Sequence, residues 1–378
     1  MMKKSILLAG TAIVALNAAT AAAVDVDMYG QVNKSVLVYD DGRDTEVNFV
    51  DNDKSSTRFG LRGSQALSNG LTASVLLEVE VQDGLGGESN TITQNTTPGQ
   101  SSTPVNAITG GSFLTERHTR VGLAGNWGAI FLGRTSTATD GITEIDIAGA
   151  DDVLGSGVDR FGGALQFRNS AGALTGVRVR DVFDNLDGIG SRSHADDRVQ
   201  TIRYDSPIFN GFQGRVAVAQ GGDMDAALLY SGKIDAFEVR GGVGYVAFNS
   251  QPTTANNDLT HQWAGSVSVK HDSGIGATFG YGQQGLERKT AGVDDPSFYY
   301  VKLGYTWDAF ELAADYAHHS DMLIGAADHD ATAWGIGAQY NMGNGVSLAG
   351  MWRMLDLDQT GANYENIHLY AMNLRVKF

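Results

Sequence analysis

A group of five acidic residues lies between residues 135 and 158, a stretch that contains no lysine or arginine. Carboxylates grouped in this way produce a local negative potential, which attracts cations and repels anions. The chemistry they suggest is electrostatic rather than covalent. The five acids are Asp140, Glu144, Asp146, Asp151 and Asp152.

Four arginines near this stretch are the second candidate group, namely Arg58, Arg62, Arg120 and Arg134. Because side chains alternate in a strand, Arg58 and Arg62 project from one face, and Phe59 and Leu61 project from the other. Arg120 alternates with apolar Val121 in the same way. The fourth arginine stands at the base of the acidic stretch. Weaker candidates of the same kind are Arg203, Arg215, Arg240, Lys302 and Arg353.

Motifs for catalysis or metal binding are weak. The glycines of 274–280 match part of a dinucleotide fingerprint, but no helix follows, so we interpret them as a turn. His318, His319 and His329 have no standard metal spacing, and the acidic triplet at 51–53 lacks the remaining features of a calcium loop. No convergent serine, histidine and acid set occurs. We therefore expect no enzyme activity, no cofactor and no metal site.

The first 23 residues have the pattern of a secretory signal peptide. Two lysines precede an apolar run at 6–16, and small residues follow at 21–23. The run is shorter than the ~20 residues that a membrane-spanning helix needs. We expect cleavage after Ala23, which leaves 24–378 as the mature chain.

The composition of the mature chain excludes several classes of protein. Without Lys3 and Lys4 it has 25 basic and 43 acidic residues, a net charge of −18, so nucleic acid is not an expected partner. The chain has no cysteine, and its 49 glycines and 5 prolines follow no collagen period. No later apolar run is long enough for a transmembrane helix. An exported β protein, either soluble or in an outer membrane, remains.

Apolar and polar residues alternate over segments of about ten residues, a length that suits a tilted membrane strand better than the strands of a soluble sandwich. The pattern is clear at 71–79, 299–307, 310–316, 332–340 and 346–354. Four aromatic residues lie at ends of these apolar faces, as in an interfacial girdle. They are Trp307, Tyr340, Trp352 and Tyr370.

Short and long connections alternate along the chain, as expected for a membrane barrel. Tight turns are predicted at 68–70, 126–128, 206–211, 272–276, 308–309 and 341–345, and long polar loops at 40–55, 83–111, 249–259, 285–296 and 320–328. The C-terminus adds an apolar ladder that ends on an aromatic ring, which suits the closing strand of a barrel. Its residues are Tyr370, Met372, Leu374, Val376 and Phe378.

Several short motifs, in their order and spacing, resemble those of Gram-negative general porins. They are VDMYGQ at 26–31, STRFGLRG at 56–63, LSNGL at 67–71, RVGL at 120–123, LGR at 132–134 and RYDSP at 203–207. The resemblance covers most of the mature chain. It implies an all-β fold, a 16-stranded antiparallel transmembrane barrel that is usually a trimer. It also implies that the third outer loop folds into the lumen, with its acids facing arginines of the wall.

The chain departs from this family between Arg134 and Tyr204, which are 70 residues apart. Strand-like stretches at 162–168 and 174–181 could form an additional hairpin of an 18-stranded barrel, or belong to an elongated inward loop of a 16-stranded one. We prefer 16 strands. The constriction loop is accordingly expected at 135–158, or as far as 196.

The resemblance implies an outer-membrane channel for small hydrophilic solutes and ions, and the acidic loop predicts weak cation selectivity. Expected partners are membrane lipid and lipopolysaccharide, two further copies of the chain, and the barrel-assembly machinery through the C-terminal strand. A channel specific for a sugar or an anion is one alternative. A soluble secreted β-rich adhesin is another, which extraction without detergent would reveal.

Overall fold

The computed structural model describes residues 25–81, 88–94, 114–190, 198–249, 259–287, 293–324 and 326–378. The predicted signal peptide lies outside these ranges. Strands form nearly all of the regular structure, and α1 (Val179–Val182) is a single helical turn. No helix within the described ranges is long and apolar enough to span a bilayer. The strands are β1 (Asp25–Asp40), β2 (Thr45–Asp51), β3 (Arg58–Ala66), β4 (Thr72–Val81), β5 (Leu114–Gly125), β6 (Gly128–Ser136), β7 (Gln166–Arg168), β8 (Leu174–Arg178), β9 (Arg198–Asp205), β10 (Phe212–Ala219), β11 (Met224–Ile234), β12 (Phe237–Ala247), β13 (Leu259–His271), β14 (Ile275–Leu286), β15 (Ser297–Trp307), β16 (Phe310–Ser320), β17 (His329–Gly343), β18 (Val346–Gln359) and β19 (Ile367–Lys377).

All strands except β7 and β8 form one antiparallel sheet that closes on itself. β1 pairs with β19 from Gln31 opposite Lys377 to Asp40 opposite His368. The other edge of β1 pairs with β3 along its first half and with β2 along its second half. β2 and β3 therefore occupy one position, and the 17-stranded sheet is a closed barrel of 16 strands. Because the sheet closes, β1 and all barrel strands from β3 to β19 are paired on both sides, so their backbone N–H and C=O groups are hydrogen-bonded as a bilayer requires.

The stretch at 40–55, predicted as a long loop, instead contains β2. The strand ends where Asp51 accepts a hydrogen bond from the backbone N–H of Thr57 at 2.7 Å. Asn52 then caps a 3₁₀ turn by accepting from Lys54 N at 3.0 Å. These local side-chain bonds compete with the ladder and interrupt the strand.

β7 and β8 pair only with each other and form a separate two-stranded sheet. The prediction that 162–168 and 174–181 are strand-like is confirmed in part, since both contain a strand. The 18-stranded alternative is wrong because neither strand joins the barrel.

Tight turns occur at the barrel end where β1 begins and β19 ends. The turn between β17 and β18 shows why, since Asn344 and Gly345 have φ values of 50° and 78°. Two consecutive positive φ values define the type I′ turn, which matches the twist of a hairpin. The connections at the other end are longer, as the alternation of turn lengths predicted, except for the four residues 41–44 between β1 and β2 and the four residues 220–223 between β10 and β11.

Every strand of the barrel exposes large apolar side chains on one face. This continuous apolar surface suits hydrocarbon rather than water. Trp307, Phe310 and Tyr340 stack on it near the tight turns, with ring centroids 5.7 and 4.6 Å apart. One exposed residue from each strand in chain order is Val32, Phe49, Leu61, Leu77, Val121, Leu132, Ile202, Val216, Leu228, Val243, Val267, Phe279, Leu303, Leu312, Ile336, Leu348 and Leu374.

Candidate functional site

The residues that connect β6 with β9 form hydrogen bonds with the opposite face of the sheet, the one without the exposed apolar side chains. We call residues 137–158 the acidic segment. Asp225, Ser268, Glu311 and Gln339 accept hydrogen bonds from its backbone N–H groups at 2.8, 2.9, 2.7 and 3.0 Å. These four acceptors belong to β11, β13, β16 and β17. The acidic segment is therefore held along half of the barrel circumference.

The five acids of the acidic segment differ in exposure. The side chain of Glu144 is 39% exposed and that of Asp151 is 48% exposed. In contrast, Asp146 is 9% exposed and Asp152 is fully buried. Asp140 is partly exposed. Three of the five carboxylates are therefore open to solvent, and the other two form ion pairs with the barrel strands.

Asp146 is bound by Lys302 of β15. The Nζ atom of this buried lysine lies 2.7 Å from Asp146 Oδ2 and 3.0 Å from Asp151 Oδ1. Thr278 Oγ1 donates a further hydrogen bond to Asp146 at 2.6 Å. Burial opposes ionisation of Asp146, but Lys302 outweighs it and lowers the pKa of this carboxyl. Asp146 thus anchors the acidic segment to the wall.

Asp152 is a second anchor. Its carboxylate pairs with Arg375 Nη2 of β19 at 2.5 Å and accepts a hydrogen bond from Ser347 of β18. Its carbonyl oxygen accepts from Asn52 Nδ2 at 2.8 Å. A buried ion pair is costly to break because the remaining charge loses its partner. Asp152 therefore joins the acidic segment to both sides of the β1–β19 closure.

The carboxyl groups of Glu144 and Asp187 lie close together, and their pKa values are shifted in opposite directions. Asn185 Nδ2 donates to Glu144 at 3.2 Å. Although its side chain is 39% exposed, the surrounding protein partly desolvates the Glu144 carboxyl, which opposes ionisation; the charges of Arg160 and Lys54 outweigh this effect and lower its pKa. Asp187 is buried, and the pKa of its carboxyl is well above the ordinary value because of burial and the nearby negative charge of Glu144. The exposed charge here therefore belongs to Glu144.

Arg58 and Arg120 lie on the same face of the sheet as the side chains that hold the acidic segment. Arg58 Nε is 3.7 Å from Glu78 Oε2. The Arg120 guanidinium lies 4.0 Å from the centroid of the Phe131 ring, and its Nε and Nη1 atoms have no hydrogen-bond partner among the residues that the structure describes. Arg62 is on this face too, but it is 64% exposed near the tight-turn end. These positions agree with the strand alternation in the sequence.

The prediction that Arg134 belongs to the pore wall is wrong. The residue follows Leu132 by two positions in β6, so both side chains share the face that carries the exposed apolar residues. Its Nε donates to the carbonyl oxygen of Glu116 at 3.0 Å. Position at the base of the acidic stretch did not determine which face it occupies.

Two arginines at this site were missed or ranked as weaker. Arg117 lies 2.7 Å from Glu78 and 2.7 Å from Glu80, and a register shift in the β4–β5 ladder reverses the alternation beside it. A bulge of this kind has no clear local signal in the sequence. Arg203, which alternation did place on this face, pairs with Asp205 at 2.9 Å.

From the second half of the acidic segment onwards, residues 150–186 bury apolar side chains against β15–β19 and β1. Each fully buried large side chain contributes roughly 1.5–3 kcal/mol relative to exposure. The connection is thus packed on the wall as well as hydrogen-bonded to it. The largest members of this cluster are Phe161, Phe167 and Phe183 of the connection, and Tyr39, Phe298, Tyr300, Leu355 and Leu369 of the strands.

The candidate metal ligands do not form a site. His318 lies on the exposed apolar face, with its ring 5.1 Å from that of Tyr299, whereas His319 is fully buried on the opposite face. Among the described residues, Asp53, Glu80 and Glu88 bring carboxylate oxygens within 4.8 Å of one another. Glu80 already forms an ion pair with Arg117, so the charge of one of the three carboxylates is neutralised by the protein itself.

The C-terminal ladder lies at the barrel closure. Tyr370, Met372, Leu374 and Val376 are all exposed on the apolar face. Phe378 exchanges backbone hydrogen bonds with Gly30 of β1, at 2.9 and 3.0 Å. The terminal ring also lies where a Cβ on Gly30 would meet it. The last residue thus packs across the junction of the first and last strands.

A family profile described as Gram-negative porin matches residues 9–360. The chain belongs to the Gram-negative porin family. The resemblance of the short motifs is therefore confirmed. As a member of this family with a closed antiparallel barrel, the porin is a channel protein of the outer membrane and not an enzyme.

Individual relatives agree with this assignment. Outer membrane porin protein 32 of Delftia acidovorans is 25% identical over 371 residues, which cover 92% of this chain and 88% of the relative. A structure of an anion-selective porin from Comamonas acidovorans has a TM-score of 0.56 at 18% identity, over 94% of this chain and all of that chain. OmpT of Vibrio cholerae in a trimer form has a TM-score of 0.57 at 15% identity, with the same coverage.

Proposed function

We propose that the porin is a passive diffusion channel for small hydrophilic solutes and ions, which residues 137–190 narrow from inside. The supporting observation is the row of hydrogen bonds between the acidic segment and β11, β13, β16 and β17. Arg58 and Arg120 stand on β3 and β5, across the ring from that row, whereas Arg203 of β9 donates to the carbonyl oxygen of Ser136 at 2.8 Å, where the segment begins. Solutes then pass between the two charged surfaces.

Channel formation is tested with purified porin in planar bilayers and in liposomes. We expect stepwise single-channel conductance, and liposome swelling that stops above a limiting solute size. A protein that inserts but neither conducts nor permits swelling would overturn the proposal. Binding of one sugar or anion at low concentration, with block of the current, would instead favour a solute-specific channel.

We infer weak cation selectivity for this channel. Asp140, Glu144 and Asp151 are the exposed acids of the acidic segment, and fixed negative charge lowers the energy of a nearby cation. The wall arginines oppose this effect, and the burial of Asp146 and Asp152 in ion pairs reduces it. A reversal potential in a KCl gradient gives the sign directly.

Anion preference is the second candidate, and one observation favours it. Two nitrogen atoms of Arg120 have no acceptor among the described residues, although the guanidinium is partly buried over Phe131. A passing anion would supply the missing acceptor. The similar structure from Comamonas acidovorans is described as anion-selective. A reversal potential of the opposite sign would favour this candidate over cation selectivity.

We further propose that the porin is a homotrimer in contact with membrane lipid and lipopolysaccharide. OmpT of Vibrio cholerae is described in a trimer form, and the apolar face of the barrel offers the surface for lipid. Native mass spectrometry of porin extracted in mild detergent should give three chains, with lipopolysaccharide retained. A monomer under these conditions would contradict the assembly.

The mature chain is proposed to begin at Val24, after cleavage of residues 1–23. The basic start, short apolar run and small residues at 21–23 support this site. Intact mass of the porin from outer membranes should correspond to 24–378. A mass that includes the first 23 residues would show that they are retained.

A further inference from the structure

Glycines are unusually common on the face of the wall that holds the acidic segment. Those that approach it are Gly242 and Gly244 of β12, Gly276 of β14, Gly304 of β15, and Gly335 and Gly337 of β17. None of the six has a positive φ, so each has an extended backbone that any residue adopts. A glycine in a strand interior often marks the close approach of another backbone. Glycine is therefore required at these positions because too little space remains for a larger side chain, and not because of the backbone conformation.

The acidic segment occupies the volume that side chains at these positions would need. A Cβ on Gly276 would lie 2.8 Å from Ala148 Cα, and a Cβ on Gly304 would overlap the carbonyl oxygen of Ala148. A Cβ on Gly244 would lie 2.5 Å from Thr139 Cγ2. The backbone at Ala148 thus lies directly on the wall, where it leaves as much of the lumen open as possible.

Hydrogen bonds on both sides of Ala148 prevent the acidic segment from leaving the wall altogether. Ile147 N donates to Ser268 Oγ at 2.9 Å before it, and Ala150 N donates to Glu311 Oε2 at 2.7 Å after it. A side chain introduced beneath Ala148 would therefore make the segment bow away from the wall between these points. The displacement is directed away from the wall and towards the arginines of β3 and β5.

We propose that these wall glycines determine the width of the channel, with Gly276, Gly304 and Gly244 as its size-determining residues. The inference rests on the proposed function, in which the acidic segment narrows the lumen. It assigns to the wall a property that would otherwise be attributed to the segment alone. Larger residues at these positions narrow the channel without adding charge to it.

Gly280 provides a matched control on the same strand and the same face as Gly276. A Cβ on Gly280 would lie 3.6 Å from Thr143 O and 3.7 Å from Tyr300 Cβ, which is ordinary contact. Gly276→Ala should lower single-channel conductance and the size limit in liposome swelling, whereas Gly280→Ala should leave both unchanged. Equal conductance of the two variants, or a larger conductance of Gly276→Ala, would overturn the proposal.

A rescue experiment at Gly244 decides the matter if Gly276→Ala does not assemble. Gly244→Ala should lower the conductance, because its Cβ would lie 2.5 Å from Thr139 Cγ2 and 3.3 Å from Thr139 Cβ and would push the segment away from the wall. Adding Thr139→Ser removes that methyl group and keeps the hydroxyl, which donates a hydrogen bond to Asp225 at 2.6 Å. The conductance of the double variant should therefore return towards that of the wild type. Thr139→Ser alone should conduct as wild type. Lack of rescue would mean that steric contact with the segment does not set the width.

These results are distinguishable from failure of the proposed function. If the wild-type porin forms no size-limited channel, the proposed function fails before any glycine is tested. If wild type conducts and all glycine variants assemble with unchanged conductance, only the inference about the wall is lost. Resistance of the folded barrel to unfolding in detergent at room temperature reports assembly separately from conductance.

Discussion

The five acids of the acidic segment have the same formal charge but different surroundings. Glu144 is exposed, and the charges near it keep it ionised. Asp152 is buried against Arg375, so the pair presents no net charge to a solute. Because the field in a channel comes from uncompensated charge, the accessible acids should dominate selectivity. The sequence predicted the group but could not separate its exposed members from its anchors.

Neutralising an exposed acid and a buried acid should therefore have different effects. Glu144→Gln should shift the reversal potential towards anions with normal assembly. Asp152→Asn should change selectivity little, but it leaves Arg375 without its partner, a loss of roughly 3–5 kcal/mol for a buried pair. Reversal potentials and the temperature of unfolding in detergent measure the two effects. A larger selectivity shift in Asp152→Asn would mean that this carboxylate faces the pore.

The wall arginines allow a second comparison, because Arg134 lies on the other face of the sheet. Arg58→Gln and Arg120→Gln should each shift selectivity towards cations, since each removes positive charge from the proposed channel. Arg134→Gln removes the same charge from the apolar face and should leave the reversal potential unchanged. An equal shift in all three variants would show that long-range charge, not position at the channel, decides the preference.

At the scale of elements, strands with clean alternation could be predicted because one face contacts an apolar environment and the other does not. The prediction failed where local hydrogen bonds interrupt the pattern, as at Asp51 between β2 and β3. It also failed beside Arg117, where a bulge reverses the faces. The partner of Asp146 is Lys302, 156 residues away, and no local pattern contains such pairings. The site could thus be predicted as a set of charges, but not as a set of contacts.

The closing strand β19 gives a prediction about assembly. Phe378→Asp places a charge on the apolar face, at a cost of up to ~2–4 kcal/mol at mid-bilayer and less near the interface. Phe310→Asp is the control, since Phe310 is likewise an exposed aromatic near the tight turns. We expect a much greater loss of heat-modifiable barrel in Phe378→Asp, through failed recognition by the assembly machinery. Equal losses would reduce the role of Phe378 to its contact with lipid.

At the scale of the whole molecule, the face of the sheet without the exposed apolar side chains has two unlike sectors. Strands β11 to β19 and β1 carry the packed connection, whereas β3, β5 and β9 carry Arg58, Arg120 and Arg203. The connection cannot shift freely, because polar anchors and a buried apolar cluster hold it over most of its described length. With the proposed cleavage after Ala23, which removes Lys3 and Lys4 from a chain of net charge −16, a net charge of −18 adds a diffuse negative potential to this fixed arrangement. On the proposed function, ion selectivity then depends on two contributions. One is the local field between the acidic segment and the wall arginines, and the other is the net charge of the entire chain.

Ionic strength separates these two contributions. The Debye length falls from ~10 Å at 0.1 M salt to ~3 Å at 1 M, so the diffuse charge of the chain is screened at high salt. Charges that lie a few ångströms from a passing ion are screened much less. We expect the cation preference in KCl gradients to weaken steadily as the mean concentration rises. Glu144→Gln should flatten this dependence only slightly, since one side chain is a small part of the total charge. A preference that stays constant up to 1 M would assign selectivity to the narrow passage beside the arginines alone.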